Sequence, residues 1–402
     1  MLKIRTIMQD QQFFSGVKVI ELASVLAGPS VGQFFAELGG DVVKIENPAT
    51  GGDVTRSWKL KEETGDQLTA YFTSINWGKR SVSLDISKPE GLSILYRMVE
   101  KADIIIASYK PGDAKKLKVD YRSLCQINPN IIYGQITGYG TENVKVGYDA
   151  IIQAEAGFMS MNGEPGGAPT KMPVALMDIL AGHHLKEGIL LRLIHKLKTG
   201  EGGKVSVSLI ESAVASLANQ GANWLVAGKV PSRQGSAHPN IAPYGDIFVT
   251  KDSKQIILAV GTDRQFVNLC KVLEMTAIAN DLQYASNALR VKHRQPLYDL
   301  LQGRICRYNQ QYLIDELNAL KVPVGAIHEV PEALQMPEVQ HLLMTGGGVR
   351  GVRTFVAHFA DEERKSGILP PPRYGEHTQQ VLMAELGLSA SDIQRLSENK
   401  VV

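Results

Sequence analysis

Short apolar runs alternate with helix-like spacing through the first 140 residues of the chain. Runs such as Val17–Leu22 are typical of buried strands. A segment such as Ser30–Leu38, with Pro29 at its start and Gly39-Gly40 at its end, is typical of a helix. This alternation predicts an α/β fold, with a mostly parallel sheet and helices on both faces. The predicted elements are strands Val17–Leu22, Asp41–Ile45, Ser81–Ile86, Asp103–Ala107 and Ile131–Ile136, and helices Ser30–Leu38, Glu90–Lys101 (started by a Ser87–Glu90 capping box) and Tyr121–Ile127.

The pattern changes in the second half of the chain. Helical spacing runs from Asp178 to Lys198, and Gly200 is placed to end that helix. Prolines then interrupt the chain, and two alternating runs predict an antiparallel pair. We therefore expect a smaller α+β domain over residues 225–325. The predicted elements there and beyond are strands Asp246–Thr250 and Gln255–Val260, and helices Arg264–Leu273, Ala288–Cys306, Tyr312–Leu320 and, as the last one, Gln379–Leu386.

Composition restricts the class of protein. With 402 residues, 44% hydrophobic and 21% charged, the chain is an ordinary globular one of about two to three domains. A net charge of +2 without a basic run gives no indication of nucleic-acid binding. No apolar stretch is long enough for a membrane span, and Met1–Phe14 lacks the features of a secretory signal. The three cysteines are far apart and odd in number, so we expect no disulfides, no zinc site and a cytoplasmic location.

The candidate chemistry centres on Asp178, a single carboxylate in the apolar segment Pro173–Gly182. Two interpretations remain open from the residues alone. An aspartate at a helix start is commonly an N-cap or a first-turn acid that suits the helix dipole. Alternatively, it is a nucleophile that attacks an acyl carbon, with the small residues Ala181 and Gly182 leaving room for a bulky substrate.

Nucleotide fingerprints are missing from the sequence. No GxGxxG follows the first strand and no GxxxxGK[ST] occurs, which disfavours an NAD or ATP site of the usual kind. A group of lysines, Lys110, Lys115, Lys116 and Lys118, follows a predicted strand end, where α/β sheets bind ligands. These lysines either hold the phosphates of a nucleotide-like molecule or form a solvated face.

Several motifs, in this order along the chain, resemble the class III CoA-transferases. That superfamily includes formyl-CoA transferase, L-carnitine CoA-transferase and the α-methylacyl-CoA racemases. The resemblance extends nearly from end to end. The motifs are Ala27–Pro29, Val43–Glu46, Gly52–Arg56, Asn76–Ser81, Gly138–Gly140, the Asp178 segment, Ala242–Tyr244, Gly261–Phe266 and Gly375–Thr378.

The resemblance implies a fold and an assembly. It implies a large Rossmann-like domain, formed by residues 1–205 and completed by a return segment over 326–402. A linker helix over 206–224 would lead to the smaller domain at 225–325. Two chains would interlock like links into a homodimer.

The resemblance also implies the site. Asp178 would be the nucleophile, which forms an acyl anhydride and then an aspartyl-CoA thioester, with Asp149 assisting. CoA is a substrate, and neither a metal nor NAD is implied. Asn47 stands where formyl-CoA transferase has an arginine, and Gly261 would offer its N–H to an oxyanion. The implied CoA contacts are Val25, Ala27, Asn47, Tyr109, Lys116 and Lys145.

The residue before Asp149 separates the activities within this superfamily. The racemases carry a histidine there, whereas this chain has Tyr148, whose phenol is poorly matched to proton abstraction at neutral pH. We therefore expect an acyl-CoA:carboxylic acid CoA-transferase, with succinyl-CoA or another short acyl-CoA as donor. A racemase-type proton transfer and a non-catalytic CoA-binding protein are the alternatives.

Overall fold

The computed structural model of the protein describes residues 13–63, 68–359 and 367–402. Residues 1–12, most of the segment inspected for a secretory signal, lie outside the described residues.

Six parallel strands form one sheet in the order β3-β2-β1-β4-β5-β6. This order, with its reversal between β1 and β4, is that of doubly wound nucleotide-binding folds. The strands of this sheet are β1 (Lys18–Leu22), β2 (Asp41–Glu46), β3 (Lys79–Ser83), β4 (Ile104–Ala107), β5 (Ile132–Thr137) and β6 (Gly203–Ser208).

Two small antiparallel sheets complete the described strands. One has three strands in the order β7-β8-β9, and the other is the hairpin β10-β11. The predicted pairing of the two runs around residues 251–253 is confirmed, because β7 and β8 are antiparallel neighbours. These strands are β7 (Tyr244–Val249), β8 (Gln255–Ala259), β9 (Val324–Ala326), β10 (Leu343–Gly346) and β11 (Val349–Val352).

Helices separate the strands of the parallel sheet, as the alternating pattern predicts. In the first half of the chain, the helices are α1 (Ala27–Glu37), α2 (Ala70–Thr73), α3 (Pro89–Val99), α4 (Asp113–Lys116), α5 (Tyr121–Ile127), α6 (Asp149–Glu155), α7 (Phe158–Met161) and α8 (Leu176–Thr199).

In the second half of the chain, the helices are α9 (Leu209–Ala215), α10 (Ala218–Ala227), α11 (Asp263–Val272), α12 (Thr276–Ala279), α13 (Asn287–Lys292), α14 (Arg294–Ile305), α15 (Gln310–Ala319), α16 (Val330–Ala333), α17 (Thr378–Leu386) and α18 (Ala390–Glu398). Among the described residues, no helix is long and apolar enough to cross a membrane.

The chain divides into two compact units. The first contains the described residues up to Ala156, then Met172–Ala222, then His341–Val402, and includes the parallel sheet. The second contains Gly157–Lys171 and Asn223–Gln340. The predicted ranges place the return segment at 326, whereas the chain rejoins the first unit at His341. Each unit has its own buried apolar core.

Three local predictions are wrong for identifiable reasons. The Ser87–Glu90 capping box does not form, because the Ser87 hydroxyl donates to Asp85 (2.5 Å) and α3 begins after Lys88. The helix predicted over Ala288–Cys306 is two helices, broken at His293. Gln379–Leu386 is not the last helix, since α18 follows it.

The segment predicted as one linker helix, residues 206–224, instead contains the end of β6, helix α9 and most of helix α10. Residues up to Ser208 belong to β6, whose alternating valines and serines suit a half-exposed strand at the edge of the sheet. Ser208 then accepts the N–H of Glu211 and caps α9. Ala218, the first residue of α10, has a φ of 48°, a left-handed conformation that separates α10 from α9, which ends at Ala215.

Candidate active site

Helix α8 begins at Leu176, so Asp178 lies in its first turn. The residue before the helix, Ala175, provides no side-chain cap. Instead, Oδ1 of Asp149, at the start of α6, accepts the N–H of Met177 (2.8 Å). Asp149 therefore caps α8. The N-cap interpretation of Asp178 is wrong, whereas its position in the first turn is confirmed.

Asp149 is itself held in place by Gln153, one turn later on α6. The Gln153 amide donates to Asp149 Oδ2 (2.7 Å), and its carbonyl oxygen accepts the N–H of Met172 (2.8 Å). Gln153 is buried. Both oxygens of Asp149 are thus occupied by fixed donors, which leaves Asp149 as a stationary charge at the start of α8.

Asp178 has the opposite environment. It is partly buried, and its carboxylate accepts no hydrogen bond from any residue that the structure describes. Burial raises the pKa of Asp178, and the neighbouring charge of Asp149 raises it further, to about 7. A carboxylate without donors and with a strongly raised pKa is typical of a catalytic group rather than a structural one.

The small residues behind Asp178 have a packing role. A Cβ atom on Gly182 would lie 2.4 Å from Ser30 Oγ and 3.2 Å from the Ala27 carbonyl oxygen. Ala181 is fully buried. The prediction that these positions leave room for a substrate is wrong, because α1 fills the space. Their effect is to bring α8 close to the first turn of α1, where Ala27 lies.

Tyr71, on the short helix α2, is a functional candidate that the sequence did not reveal. Burial raises the pKa of Tyr71, and the charges of Asp178, Asp149 and Asp53 raise it further. Its ring packs edge-on against Trp58, with 5.0 Å between centroids. Tyr71 therefore keeps its proton beside Asp178. No local pattern indicates this, because the aspartates come from three distant parts of the chain.

A cleft opens at the carboxyl end of the parallel sheet, at the reversal of strand order. Its wall includes Ser24 after β1, Asn47 after β2, and Ser108 and Tyr109 after β4. This is where doubly wound sheets bind ligands. Its volume is about 260 Å³, below the usual size of pockets that enclose a drug-sized ligand. The cleft therefore suits one part of a larger molecule.

Two of the predicted CoA contacts, Asn47 and Tyr109, line this cleft. Asn47 Oδ1 accepts the N–H of Ala49 (2.9 Å) and thereby shapes the turn after β2. Burial raises the pKa of Tyr109 well above its usual value, so its hydroxyl stays protonated as a donor. Val25 lies in the connection from β1 to α1, next to Ser24, and Ala27 is the first residue of α1. The structure thus brings four of the predicted contacts to the carboxyl end of the parallel sheet.

The two predicted lysine contacts do not line this cleft. Lys116 is exposed and pairs with Asp113 (3.2 Å) one turn earlier. Lys145 pairs with Glu155 and lies over the ring of Tyr139, 4.6 Å from its centroid. Neither lysine is part of the cleft wall.

Gly261 belongs to the second unit, between β8 and α11. Its N–H donates to Gln265 Oε1 (2.9 Å), which also accepts the N–H of Thr262 (3.1 Å). Gln265 thus occupies the donor that the sequence assigns to an oxyanion. The role of Gly261 stays a prediction that requires Gln265 to turn away.

Acidic, histidine and cysteine side chains do not converge on a metal site in the described parts of the chain, where no group of three or more is placed to hold one. The protein thus has an α/β fold, a cleft at the carboxyl end of its parallel sheet, and an aspartate in the first turn of a helix that accepts no hydrogen bond from the described residues.

Comparison with known proteins gives the family. The profile of CoA-transferase family III matches residues 14–378. The chain belongs to CoA-transferase family III and is an enzyme of that class, whose members use CoA thioesters as substrates.

Relatives with assigned activities match the chain over most of its length. It is 40% identical to a succinate–glutarate CoA-transferase of Agrobacterium fabrum over 386 residues, which cover 92% of this chain and 95% of the relative. It is 33% identical to the succinyl-CoA:glutarate CoA-transferase of Homo sapiens, with coverage of 91% and 84%. A CAIB/BAIF family protein from Brucella suis has a similar structure, with a TM-score of 0.84, 38% identity and coverage of 92% and 98%.

Proposed function

We propose that this protein transfers CoA between short dicarboxylic acids, with Asp178 as the covalent acceptor. The observation that carries the proposal is the carboxylate of Asp178, which is partly buried, has a pKa of about 7 and accepts no hydrogen bond from the described residues. A carboxylate with this pKa is substantially ionised at neutral pH. It is also more basic than a solvated aspartate, and basicity favours attack on a carbonyl carbon.

The first half of the reaction transfers CoA to the protein. An Asp178 oxygen attacks the thioester carbon of the donor, and the CoA thiolate leaves, which gives a mixed anhydride. The thiolate then attacks the Asp178 carbon of that anhydride. The donor acid departs as a carboxylate, and an aspartyl-CoA thioester remains.

The second half runs in reverse with the acceptor acid. The acceptor carboxylate attacks the aspartyl thioester, releases the thiolate and forms a second anhydride. The thiolate attacks the acceptor carbon of this anhydride, which yields the new acyl-CoA and frees Asp178. Asp149 keeps the start of α8 in place and raises the basicity of the nucleophile.

Succinyl-CoA is the proposed donor and glutarate the proposed acceptor. The support is the assignment of these acids to the relatives from Agrobacterium fabrum and Homo sapiens. We propose that CoA binds in the cleft at the carboxyl end of the parallel sheet. Its apolar residues Leu84, Ile86 and Leu117 suit a ring system, and the serines and Asn47 suit polar groups.

Trapping the intermediate tests the proposal. The protein is mixed with succinyl-CoA, quenched with hydroxylamine or borohydride, and digested for mass spectrometry. We expect a changed mass on the peptide that contains Asp178. Asp178→Ala should lose both the modification and CoA transfer while retaining CoA binding. Asp315→Asn, a change at an exposed acid on α15, is the control that should behave as the unmodified protein.

Other results would favour the alternatives. Exchange of solvent deuterium at the α-carbon of a 2-methylacyl-CoA, without an acceptor acid, would indicate racemase-type proton transfer, for which a pKa near 7 is also suitable. Tight CoA binding without modification of Asp178 would contradict the covalent mechanism. Retained turnover in Asp178→Ala would contradict it as well.

We also propose a homodimer in which two chains interlock. Exposed apolar side chains on α8 support an interface, since Leu191, Ile194 and Leu197 are 68%, 50% and 86% exposed. Light scattering on the purified protein would test the dimer, and a monomeric mass would contradict it. The three free cysteines support the proposed cytoplasmic location.

A further inference from the structure

The connection from β1 to α1 contains a backbone conformation that is unfavourable for its residue. Val25 has a φ of 73°. A β-branched residue rarely adopts this left-handed conformation, because its branched side chain collides with the backbone. Among the residues that the structure describes, Val25 is the only β-branched one with a positive φ. Such strain persists only where the surroundings enforce it, and it is concentrated at functional sites.

A buried ion pair holds the two sides of this turn. The Val25 N–H donates to both carboxylate oxygens of Asp53 (3.3 Å each). Lys44 Nζ donates to the carbonyl oxygen of Ala23 (2.7 Å) and forms an ion pair with Asp53 (2.8 Å). The backbone groups that flank Ser24 are therefore fixed by opposite members of one ion pair.

The ion pair extends into a larger buried network. Glu21 lies between Lys44 (2.9 Å) and Lys79 (2.8 Å). Lys79 in turn donates to the carbonyl oxygen of Pro29 (2.8 Å), in the first turn of α1. A Cβ atom on Gly32 would lie 1.9 Å from Glu21, so α1 rests directly on this carboxylate. The network thus holds the connection at its start, at Val25 and at the beginning of the helix.

Burial of these four charges is costly, and a plain apolar core would often be at least as stable. The two lysines and two carboxylates balance each other, and all four side chains are almost fully buried. Burial alone would raise the pKa of Asp53, but Lys44 and Thr55 hold it below its usual value, so the carboxylate remains charged. A network that is costly and that ends on three backbone groups of one connection indicates a positioning role.

We propose that Asp53, oriented by Lys44, is a positioning residue for the transfer reaction, which holds Val25 in the left-handed conformation and so sets the β1–α1 connection at the edge of the CoA cleft. The inference rests on the proposed function, in which this connection contacts acyl-CoA. Ser24, between the two held backbone groups, lines the cleft, as do Lys44 and Asp53 themselves. Without the ion pair, Val25 would relax toward negative φ and the connection would shift.

A rescue experiment tests this role. Asp53→Asn removes the charge with little change of shape. We expect the Kd for CoA, measured by calorimetry, to rise about tenfold, because the contacting loop is no longer preorganised. Glycine adopts positive φ without cost, so Val25→Gly combined with Asp53→Asn should recover about threefold or more of that loss. A purely structural role of Asp53 would show no recovery.

Ser24→Gly is the matched control. Ser24→Gly adds equal flexibility one residue away, at a position without positive φ. It should therefore not recover CoA binding: the Kd for CoA of the Ser24→Gly, Asp53→Asn double variant should remain about tenfold above that of Ser24→Gly alone. Equal recovery by both glycines would overturn the proposal. Unchanged CoA affinity in folded Asp53→Asn would also overturn it.

A second measurement applies if Asp53→Asn does not fold. Val25→Gly in the otherwise unchanged protein should keep or raise the midpoint of thermal unfolding, because the strain is released with the side chain. A clear decrease, as expected for a glycine in an unstrained loop, would overturn the proposal. CoA affinity and unfolding require no turnover. A wild-type protein that binds CoA but never modifies Asp178 would therefore reject the proposed mechanism, while the Asp53 proposal is judged by its own variants.

Discussion

Two aspartates of the first unit, Asp53 and Asp178, have opposite surroundings. Asp53 is 5% exposed and is bonded by a lysine, by the N–H and hydroxyl of Thr55 and by the N–H of Val25. Asp178 is partly buried, and no described residue donates to it. The pKa of Asp53 lies below its usual value and that of Asp178 lies at about 7. Burial pushes both pKa values upward, so the difference comes from the partners.

The two aspartates represent two uses of a buried charge. A carboxylate whose oxygens are fully engaged has no capacity to react, but it can fix a backbone in place. A carboxylate that is buried without donors destabilises its own charged form and is available to a substrate. Tyr71 connects the two, because the charges of both aspartates raise its pKa. The difference therefore arises within one small region of the fold.

The largest expected effect follows from removing the charge of Asp178. Asp178→Asn should reduce kcat for CoA transfer by a factor on the order of 10⁴ or more, since the covalent route is lost. Steady-state assays with succinyl-CoA and glutarate measure this, and circular dichroism shows whether the fold is kept. A decrease of less than about tenfold in a folded variant would mean that Asp178 is not the nucleophile.

The next effect in size follows from removing the carboxylate of Asp53. Asp53→Ala should lower the free energy of unfolding by about 3–5 kcal/mol, because Lys44 remains buried without one of its partners. Denaturant titration measures this change. Asp41→Ala, which removes a more exposed partner of Arg80, is the matched control and should cost about 1 kcal/mol or less. Equal losses of unfolding free energy in the two variants would show that the buried network contributes no more to stability than the more exposed ion pair.

The sequence predicts the framework of this region better than its chemistry. The five predicted strands correspond to β1–β5, and the helix with Asp178 is predicted to within two residues at its start. These elements follow from local periodicity, which one stretch of chain determines alone. The edge strand β6 is not among the predicted strands, because residues from 206 onward are assigned to a linker helix, although alternating valines and serines are typical of a half-exposed strand.

The partners of the two aspartates could not be predicted, because they come from distant parts of the chain. The cap of α8 is Asp149, 28 residues before Met177. Asp53 and Lys44 belong to motifs that carry the family resemblance. Nothing in those motifs reveals the hydrogen bond from the Val25 N–H to Asp53 or the positive φ of Val25. Tertiary packing determines these contacts, and periodicity carries no information about them.

A smaller effect is the dependence of the protein's stability on pH. The folded protein keeps a proton on Asp178 up to about pH 7, whereas the unfolded chain releases it near the ordinary aspartate pKa of 3.8. Folding thus takes up a proton between these values, and stability falls as the pH rises across that window. Three pKa units correspond to about 4 kcal/mol. Solvent at this partly buried group reduces the effect, so we expect Asp178→Asn to gain about 2 kcal/mol relative to wild type between pH 4.5 and pH 8.

Asp53 should show the opposite dependence, because its pKa is lowered in the folded state. Its contribution is present above the unfolded pKa and is lost as the pH falls through the folded pKa. Denaturant titrations of the wild type and both variants at several pH values measure the two trends. A stability difference between wild type and Asp178→Asn that does not change with pH would contradict the raised pKa.

The smallest effect concerns the charge that Asp149 adds to Asp178. Asp149→Asn keeps an oxygen that can accept the Met177 N–H, so the cap of α8 should persist, whereas the hydrogen bond donated by the Gln153 amide is lost. The neighbouring negative charge is lost, and the pKa of Asp178 should decrease, although not to its usual value because burial still raises it. The acidic limb of the kcat/KM profile should then move to lower pH. Relative to wild type, the variant should be more active at pH 6 than at pH 8 by up to about tenfold.

The exposed acid Glu142, in the loop before α6, provides the control for this change. Glu142→Gln also removes one negative charge from that loop, but its exposed position places the charge in water, where its effect is screened. Its pH profile should match the wild type. If both variants shift the limb equally, the cause is the net charge of the loop. If neither shifts it, burial alone raises the pKa of Asp178, and Asp149 acts only by capping the helix that carries the nucleophile.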